Sequence, residues 1–355
     1  MAFIKFNNCK IAGISAGVPE NVEPTISNSD RYATEEYLQT TGILEKRYSN
    51  EFTASDLCLP AAERLIADLG WDRKDIDGLF FISQTPDYIL PATSCVLHGK
   101  LGLPKSCMTL DISLGCSGWV YGISTAMGMV ESGYLRKVLV LAGDARKHAE
   151  EEPDQLFGYA GTVTAIEYNP LKAAPVMIQL GSDGTRFDTI IRPGGGSRNQ
   201  LNFNSLSPKK CEDGRHRHAL QTRMKGMDVF AFGITTAPKS IKQLSKEFGF
   251  DYHDYDFVVF HQANLMMNEI IRKKLNLTPE KVPYSLTKFG NTSSASIPLT
   301  IVTQLADKLE GHKKIIGCAF GVGLSWGTIA FETDDLVISP LLELPSTNNI
   351  ISDGN

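Results

Sequence analysis

Two stretches of this chain, LGWDRKDIDGLFFIS (69–83) and FGFDYHDYDFVVFHQ (248–262), share one layout: a helix end closed by glycine, an aromatic residue, an acidic turn and a buried strand. Gly70 answers Gly249 and Asp77 answers Asp256 at the same separation, so no gap is needed between them. Further matches follow in the same order. KLGLP (100–104) answers KLNLT (274–278), TLDISLGCSG (109–118) answers SLTKFGNTSS (285–294), and RKVLVLAG (136–143) answers HKKIIGCA (312–319). A chain written this way folds as two similar halves, here 1–172 and 173–355. Apolar strands such as GLFFIS and FVVF alternate with helical stretches, the pattern of sheets covered on both faces. The expectation is an α/β fold of two duplicated halves related by a pseudo-twofold axis. The repeat sets Cys116 opposite Asn291, so two helix starts meet across that axis.

Bulk properties exclude several function classes. The chain has 355 residues, 42% hydrophobic and 21% charged, which is ordinary for a water-soluble protein of two core-bearing units. Its net charge of −5 offers no basic excess for non-specific nucleic-acid binding. No apolar run approaches the roughly 20 residues of a membrane span, and MAFIKFNNCK lacks the apolar core of a signal peptide. A cytoplasmic location is expected. The seven cysteines form no C-x-x-C pair, so neither a disulfide framework nor a zinc site is indicated, and no cofactor is called for.

Within TLDISLGCSGWVYGI (109–123), Cys116 stands at the corner between a strand and a helix. A thiol there faces unpaired backbone N–H groups and the positive end of the helix dipole, which favours thiolate. Space-filling beside Gly115 and Gly118 is the alternative, since free cysteine is commonly buried. His261 ends the strand YDFVVF and opens HQAN, which is too polar to continue a core strand. Asn291 lies in KFGNTSSAS, a glycine turn opening a helix. CAFGVGLSWG (318–327) adds closely spaced glycines, whose backbone N–H groups can approach a reacting carbonyl. The repeat lets these separate loops converge, as catalysis requires.

Taken together, GCSG, HQAN, GNTSSAS and FGVGLSWG, in this order and spread, resemble the β-ketoacyl-acyl carrier protein synthase III family of the thiolase superfamily. TGILEKR (41–47), GSDGT (181–185) and GMDVF (226–230) extend the likeness over nearly the whole chain. The resemblance implies a thiolase-like fold of two αβαβα halves and a condensing enzyme of fatty acid biosynthesis. It makes Cys116 the acyl-accepting nucleophile and His261 with Asn291 the pair that bonds the thioester oxygen of a malonyl-type extender. Val322 would supply an oxyanion N–H, and Phe320 would wall the site beside the thiol. It further implies a homodimer, pairing through the strand RKVLVLAG, and an acidic carrier protein docking on Arg272, Lys273 and Lys274.

Departures from the family pattern bear on the donor. The family's tryptophan and arginine before TGI, which grip coenzyme A, are missing from TEEYLQTTGI (34–43); Met266 stands where a basic residue is common, and FGDGAGA reads FGYAGTVTA (157–165). Acyl-carrier-protein donors therefore gain weight over acyl-coenzyme A. The alternative readings are a same-fold acyltransferase to a non-malonyl acceptor, and a non-catalytic partner subunit of the same fold.

Overall fold

The computed structural model describes residues 2–25, 34–147, 155–171, 174–211 and 214–346. The strands of its two main sheets are, in chain order, β1 (Ala2–Phe6), β2 (Cys9–Pro19), β3 (Gly78–Ile82), β4 (Met108–Ile112), β5 (Lys137–Asp144), β6 (Ala160–Tyr168), β7 (Val176–Ser182), β8 (Phe257–Phe260), β9 (Lys313–Gly321), β10 (Ser325–Thr333), β11 (Val337–Ile338) and β12 (Leu342–Leu344). One sheet runs β11-β2-β6-β5-β3-β4, with β12 also paired to β2. The other runs β1-β7-β10-β9-β8.

The repeat is visible in the turns. Gly70 (φ 62°) and Gly249 (φ 70°) both follow a helix end in the left-handed region, where glycine carries no Cβ penalty. Asp77 Oδ2 accepts the backbone N–H of Arg136 and Lys137, and Asp256 Oδ2 accepts that of Lys314, so each acidic turn clamps the start of a parallel neighbour. The strands β3 and β5 pair in parallel as β8 and β9 do. Gly102 (φ 62°) is answered by Asn276 (φ 53°), asparagine being among the few side chains that tolerate this conformation. The register between Lys137 and Lys314 lies one residue away from the sequence match of RKVLVLAG to HKKIIGCA. In SLTKFGN, residues Leu286–Phe289 form a helical turn and not a counterpart of β4.

Five layers result. Helices α1 (Ala54–Asp68), α2 (Gly118–Val130), α3 (Gly226–Phe248), α4 (Leu265–Lys274) and α5 (Ser296–Gln304) fill three of them. Between the sheets lie α2 and α5, whose Trp119, Ile123, Ile297 and Ile301 join the central core with Phe80, Val140 and Ile329 from both sheets. Such helices are apolar nearly all round because both sides are covered. Outside, α1 covers the first sheet through Leu57, Ala61 and Leu65, and α3 with α4 covers the second through Ile241, Leu244 and Ile271. The layers follow the αβαβα order that the family resemblance implies.

Two features depart from the expectation. The boundary at 172/173 falls outside the described residues, yet the ends of the chain cross it: β1 pairs with β7 in the second sheet, and β11 and β12 pair with β2 in the first. The strand RKVLVLAG is β5, hydrogen-bonded to β6 on one side and β3 on the other, so it has no free edge for a partner. At one edge of that sheet lies β4, which is half-buried and begins at the exposed Met108. Among the described residues no helix is long and apolar enough to cross a membrane.

Candidate active site

Cys116 sits in the turn between β4 and α2, where Gly118 N–H bonds Gly115 O at 2.7 Å. Space there is tightest at Gly118, where a Cβ would stand 2.5 Å from Ile82 Cγ2; one on Gly115 would displace the end of the Gln84 side chain. From the other half, the end of β9 presses on the cysteine itself, for a Cβ on Gly321 would lie 2.6 Å from Cys116 Cβ and 2.9 Å from its Sγ. Ser325 Oγ meets Ser117 Oγ at 2.7 Å and Val322 O at 2.7 Å, fastening the glycine turn to the cysteine turn. As a result the backbone N–H groups of Cys116 and Val322 both face the sulphur, together with the Ser293 hydroxyl.

The resting thiol differs from the sequence expectation. Burial of the sulphur, reinforced by the Asp144 carboxylate, pushes the Cys116 thiol up to about 12 against the pull of Ser293 and the two N–H groups. The helix start does not win, because a desolvated thiolate beside the Asp144 carboxylate costs more than dipole and hydrogen bonds return.

His261 is buried at the end of β8, its N–H bonding Cys318 O at 2.8 Å. Its Nδ1 meets Ser296 Oγ at 3.0 Å, and that hydroxyl also bonds Ser293 O at 2.8 Å. Asn291 is held by the opposite half: its N–H bonds Leu156 O at 2.9 Å and its O accepts Gly158 N–H at 3.1 Å. Asn291 Oδ1 accepts the Ser293 N–H at 2.9 Å, which leaves the side-chain NH2 as its remaining donor. Phe320 stands edge-on to the His261 ring, centroids 5.8 Å apart, and Gly321 is the residue that flanks the thiol.

Burial pushes His261 down to about 3, with the Ser293 carbonyl pulling the other way. The ordinary histidine value is near 6.5, so between about 6.5 and 3 the unfolded chain binds a proton that the folded chain does not. Stability therefore falls as pH drops through that window, by about 1.4 kcal/mol per pH unit from this residue. Denaturant titrations between pH 7 and 4 should show this slope and lose it in His261→Asn.

Comparison with known proteins places the chain in one family. The family model for 3-oxoacyl-[acyl-carrier-protein] synthase III matches residues 110–184, and the model for its C-terminal part matches 245–333. The β-ketoacyl-[acyl-carrier-protein] synthase III of Geobacillus kaustophilus is 32% identical over 332 residues, covering 91% of this chain and 98% of the relative. The chain belongs to this synthase III family. A synthase III of Aliarcobacter butzleri is 31% identical over 318 residues, 87% of this chain and 91% of its own. The crystal structure of a 3-oxoacyl-(acyl-carrier protein) synthase from Burkholderia xenovorans superimposes with a TM-score of 0.88 at 34% identity, covering 97% and 99% of the two chains. This synthase III-like chain is thus a condensing enzyme with the thiolase fold.

Other expected positions are distributed differently. Arg272 is spent within α4, paired with Glu269 at 2.7 Å and bonding Leu277 O at 2.6 Å. Lys273 is exposed, and Lys274 Nζ bonds Ile234 O of α3 at 2.9 Å. Lys239, Lys242 and Lys246 of α3 share a groove of about 530 Å³ with Lys274, a group that sequence reasoning missed although their helical spacing puts them on one face. Ser293 was missed as well. It is the residue with φ 51° that touches the surroundings of Cys116, His261 and Asn291 together.

Proposed function

We propose that Cys116 accepts an acyl group from a thioester donor and that His261 and Asn291 then assist decarboxylation of a malonyl-type thioester, giving a β-ketoacyl thioester. The observation that carries this reading is the pair of N–H groups of Cys116 and Val322 facing one sulphur, an arrangement suited to a tetrahedral oxyanion. In the second step the extender loses carbon dioxide and leaves an enolate. Asn291 offers its NH2 to the enolate oxygen. Ser296 Oγ–H donates to Ser293 O, so that hydroxyl accepts from His261 Nδ1, and the ring presents Nε2 to the extender. As the enolate forms, Nε2 donates to its oxygen from the protonated ring, whose charge offsets that of the enolate. The carbon nucleophile then attacks acyl-Cys116 and releases the free thiol. In this reading the 1–172 half supplies the nucleophile and the 173–355 half the two donors. Intact mass after exposure to acyl thioesters, followed by carbon dioxide release from a malonyl thioester, tests both steps. An acylated protein that releases none would be a transferase to another acceptor.

The acyl donor in this reading is a carrier-protein thioester. Lys273 and Lys274, joined by Lys239, Lys242 and Lys246, present an exposed basic face for an acidic partner, and complementary charge speeds encounter. With the aromatic stack and two charge-assisted contacts to coenzyme A missing, acyl-carrier-protein should load Cys116 faster than the matching acyl-coenzyme A by about tenfold or more. Lys273→Glu with Lys274→Glu should erase the difference. Equal loading of the unaltered protein by both donors would refute the preference.

The assembly in this reading is a homodimer joined edge to edge through β4. An unpaired strand edge is an aggregation hazard unless covered, and a twofold axis covers it with its own copy. The loop that follows β3, the strand paired with β4, exposes Tyr88, Ile89 and Leu90. Light scattering should give twice the 38.9 kDa chain mass. Seven unpaired cysteines support a reducing, cytoplasmic setting.

A further inference from the structure

The segment between β7 and α3 encloses a cavity of about 650 Å³ for which the two-step chemistry above has no use. Cys116, His261 and Asn291 do not line it. Its charge is one-sided. Arg198, Lys209 and Arg223 line it with Gln200, Asn204 and Ser207, while no carboxylate and no aromatic ring does among the described residues. None of the three cations is paired with a carboxylate among the described residues, although the chain as a whole carries a net charge of −5. Arg223 is half-buried, and its Nε, shut off from solvent, has no hydrogen-bond partner among the described residues. A buried donor left unsatisfied costs about 1–3 kcal/mol, and more on a charged group, so a native fold rarely keeps one without a reason.

The walls are fixed by their own hydrogen bonds. Arg223 pairs with Ile191 as an antiparallel neighbour, Gly194 N–H bonds Ala219 O at 2.8 Å, and Ala219 N–H bonds Ser205 O at 2.9 Å. A Cβ on Gly194 would stand 2.8 Å from that of Ala219, so glycine lets the two loop segments close up. Asn202 caps the short turn Phe203–Leu206 by accepting Asn204 N–H at 2.9 Å, and Asn199 Nδ2 donates to Pro193 O at 2.8 Å. The side chains of Gln200, Asn204 and Ser207 make no hydrogen bond among the described residues, which leaves them free for a ligand in a site that is already shaped.

We propose that this cavity binds a small phosphate ester that carries hydroxyl groups. A guanidinium group presents paired N–H donors that match two phosphate oxygens, and here two guanidinium groups and one ammonium share a wall with no competing carboxylate. A bound phosphate gives Arg223 Nε an acceptor and offsets the mutual repulsion of the three cations. Amide and hydroxyl side chains both donate and accept, as sugar-like hydroxyl groups do. With no aromatic ring to stack on, the cavity favours such a body over a nucleobase. Its volume falls within the range of about 300–1,000 Å³ usual for small-molecule sites. The site needs neither the thiol nor the two donors of the condensing centre, so it stands apart from the reading of Cys116.

Isothermal titration calorimetry on the full chain at low salt, with glucose 6-phosphate, inorganic phosphate and coenzyme A as probes, tests the site. Glucose 6-phosphate should bind once per chain and more tightly than inorganic phosphate, and Arg223→Gln and Arg198→Gln should each weaken it by at least tenfold. Coenzyme A binding that is lost in the same two variants would assign the cavity to the phosphate of a thioester donor; coenzyme A binding that survives them, with glucose 6-phosphate lost, assigns it to a free phosphate ester. Melting curves establish that each variant is folded, and the exposed Arg198 decides alone if the half-buried Arg223 cannot be replaced. No binding of glucose 6-phosphate or coenzyme A at millimolar concentration would overturn the proposal, as would affinities that both arginine variants leave unchanged. Loss of binding in Lys242→Gln in place of the arginine variants would move the ligand to the α3 groove and overturn it equally.

Discussion

Cys116→Ala should take up no acyl group from any thioester donor while keeping its fold. The substitution removes one sulphur from a turn whose shape is set by Gly115, Gly118 and the Ser117–Ser325 contact, none of which involves the thiol. The lost volume is small, so the stability cost should stay within about 1 kcal/mol. The covalent step has no substitute, because among the described residues it is the Cys116 sulphur that meets the N–H groups of Cys116 and Val322. Intact mass should show a single acyl adduct on the unaltered protein and none on the variant. An adduct on a different cysteine of the variant would remove Cys116 from the mechanism. Cys116→Ser should acylate very slowly, since a hydroxyl is a poorer nucleophile than a thiol near neutral pH.

The second large effect is expected at Asn291, and the informative change is Asn291→Asp. Aspartate keeps the acceptor oxygen that holds the Ser293 N–H, so the turn and its φ of 51° survive. It replaces the NH2 donor by a carboxylate oxygen, which repels a developing enolate where the amide would have bonded it. Loss of one preorganised donor of this kind typically costs about 10²–10³ in rate. Decarboxylation of a malonyl thioester should fall by at least that factor, while acylation of Cys116 should continue. Equal loss of both steps would mean that the substitution disturbs the nucleophile turn, and an unchanged decarboxylation rate would exclude Asn291 from that step.

The duplicated plan, the acidic turns and the placing of Cys116, His261 and Asn291 at element ends were legible in the sequence because each rests on local chemistry. Glycine or asparagine must supply the left-handed turn at 70, 249, 102 and 276, and an aspartate at 77 or 256 must satisfy the first N–H groups of a neighbouring strand. Strands buried on both faces write themselves as apolar runs. The family motifs added the roles proposed for the three residues.

Tertiary structure decided what depends on sums over distant parts. The protonation of Cys116 was misjudged from the helix start alone, because the opposing contributions come from burial by the other half and from Asp144, a residue on a different strand. RKVLVLAG looked like an interface strand, yet edge or centre is a property of the whole sheet, and β5 lies between β3 and β6. Arg272 reads as one of three basic neighbours until Glu269, one helical turn earlier, folds over it. Ser293 carries no distinguishing mark among the serines of GNTSSAS. Only packing brings its turn against β5 and the turn that carries Cys116, both far from it in the chain, since desolvation and proximity are set by residues that no local stretch contains.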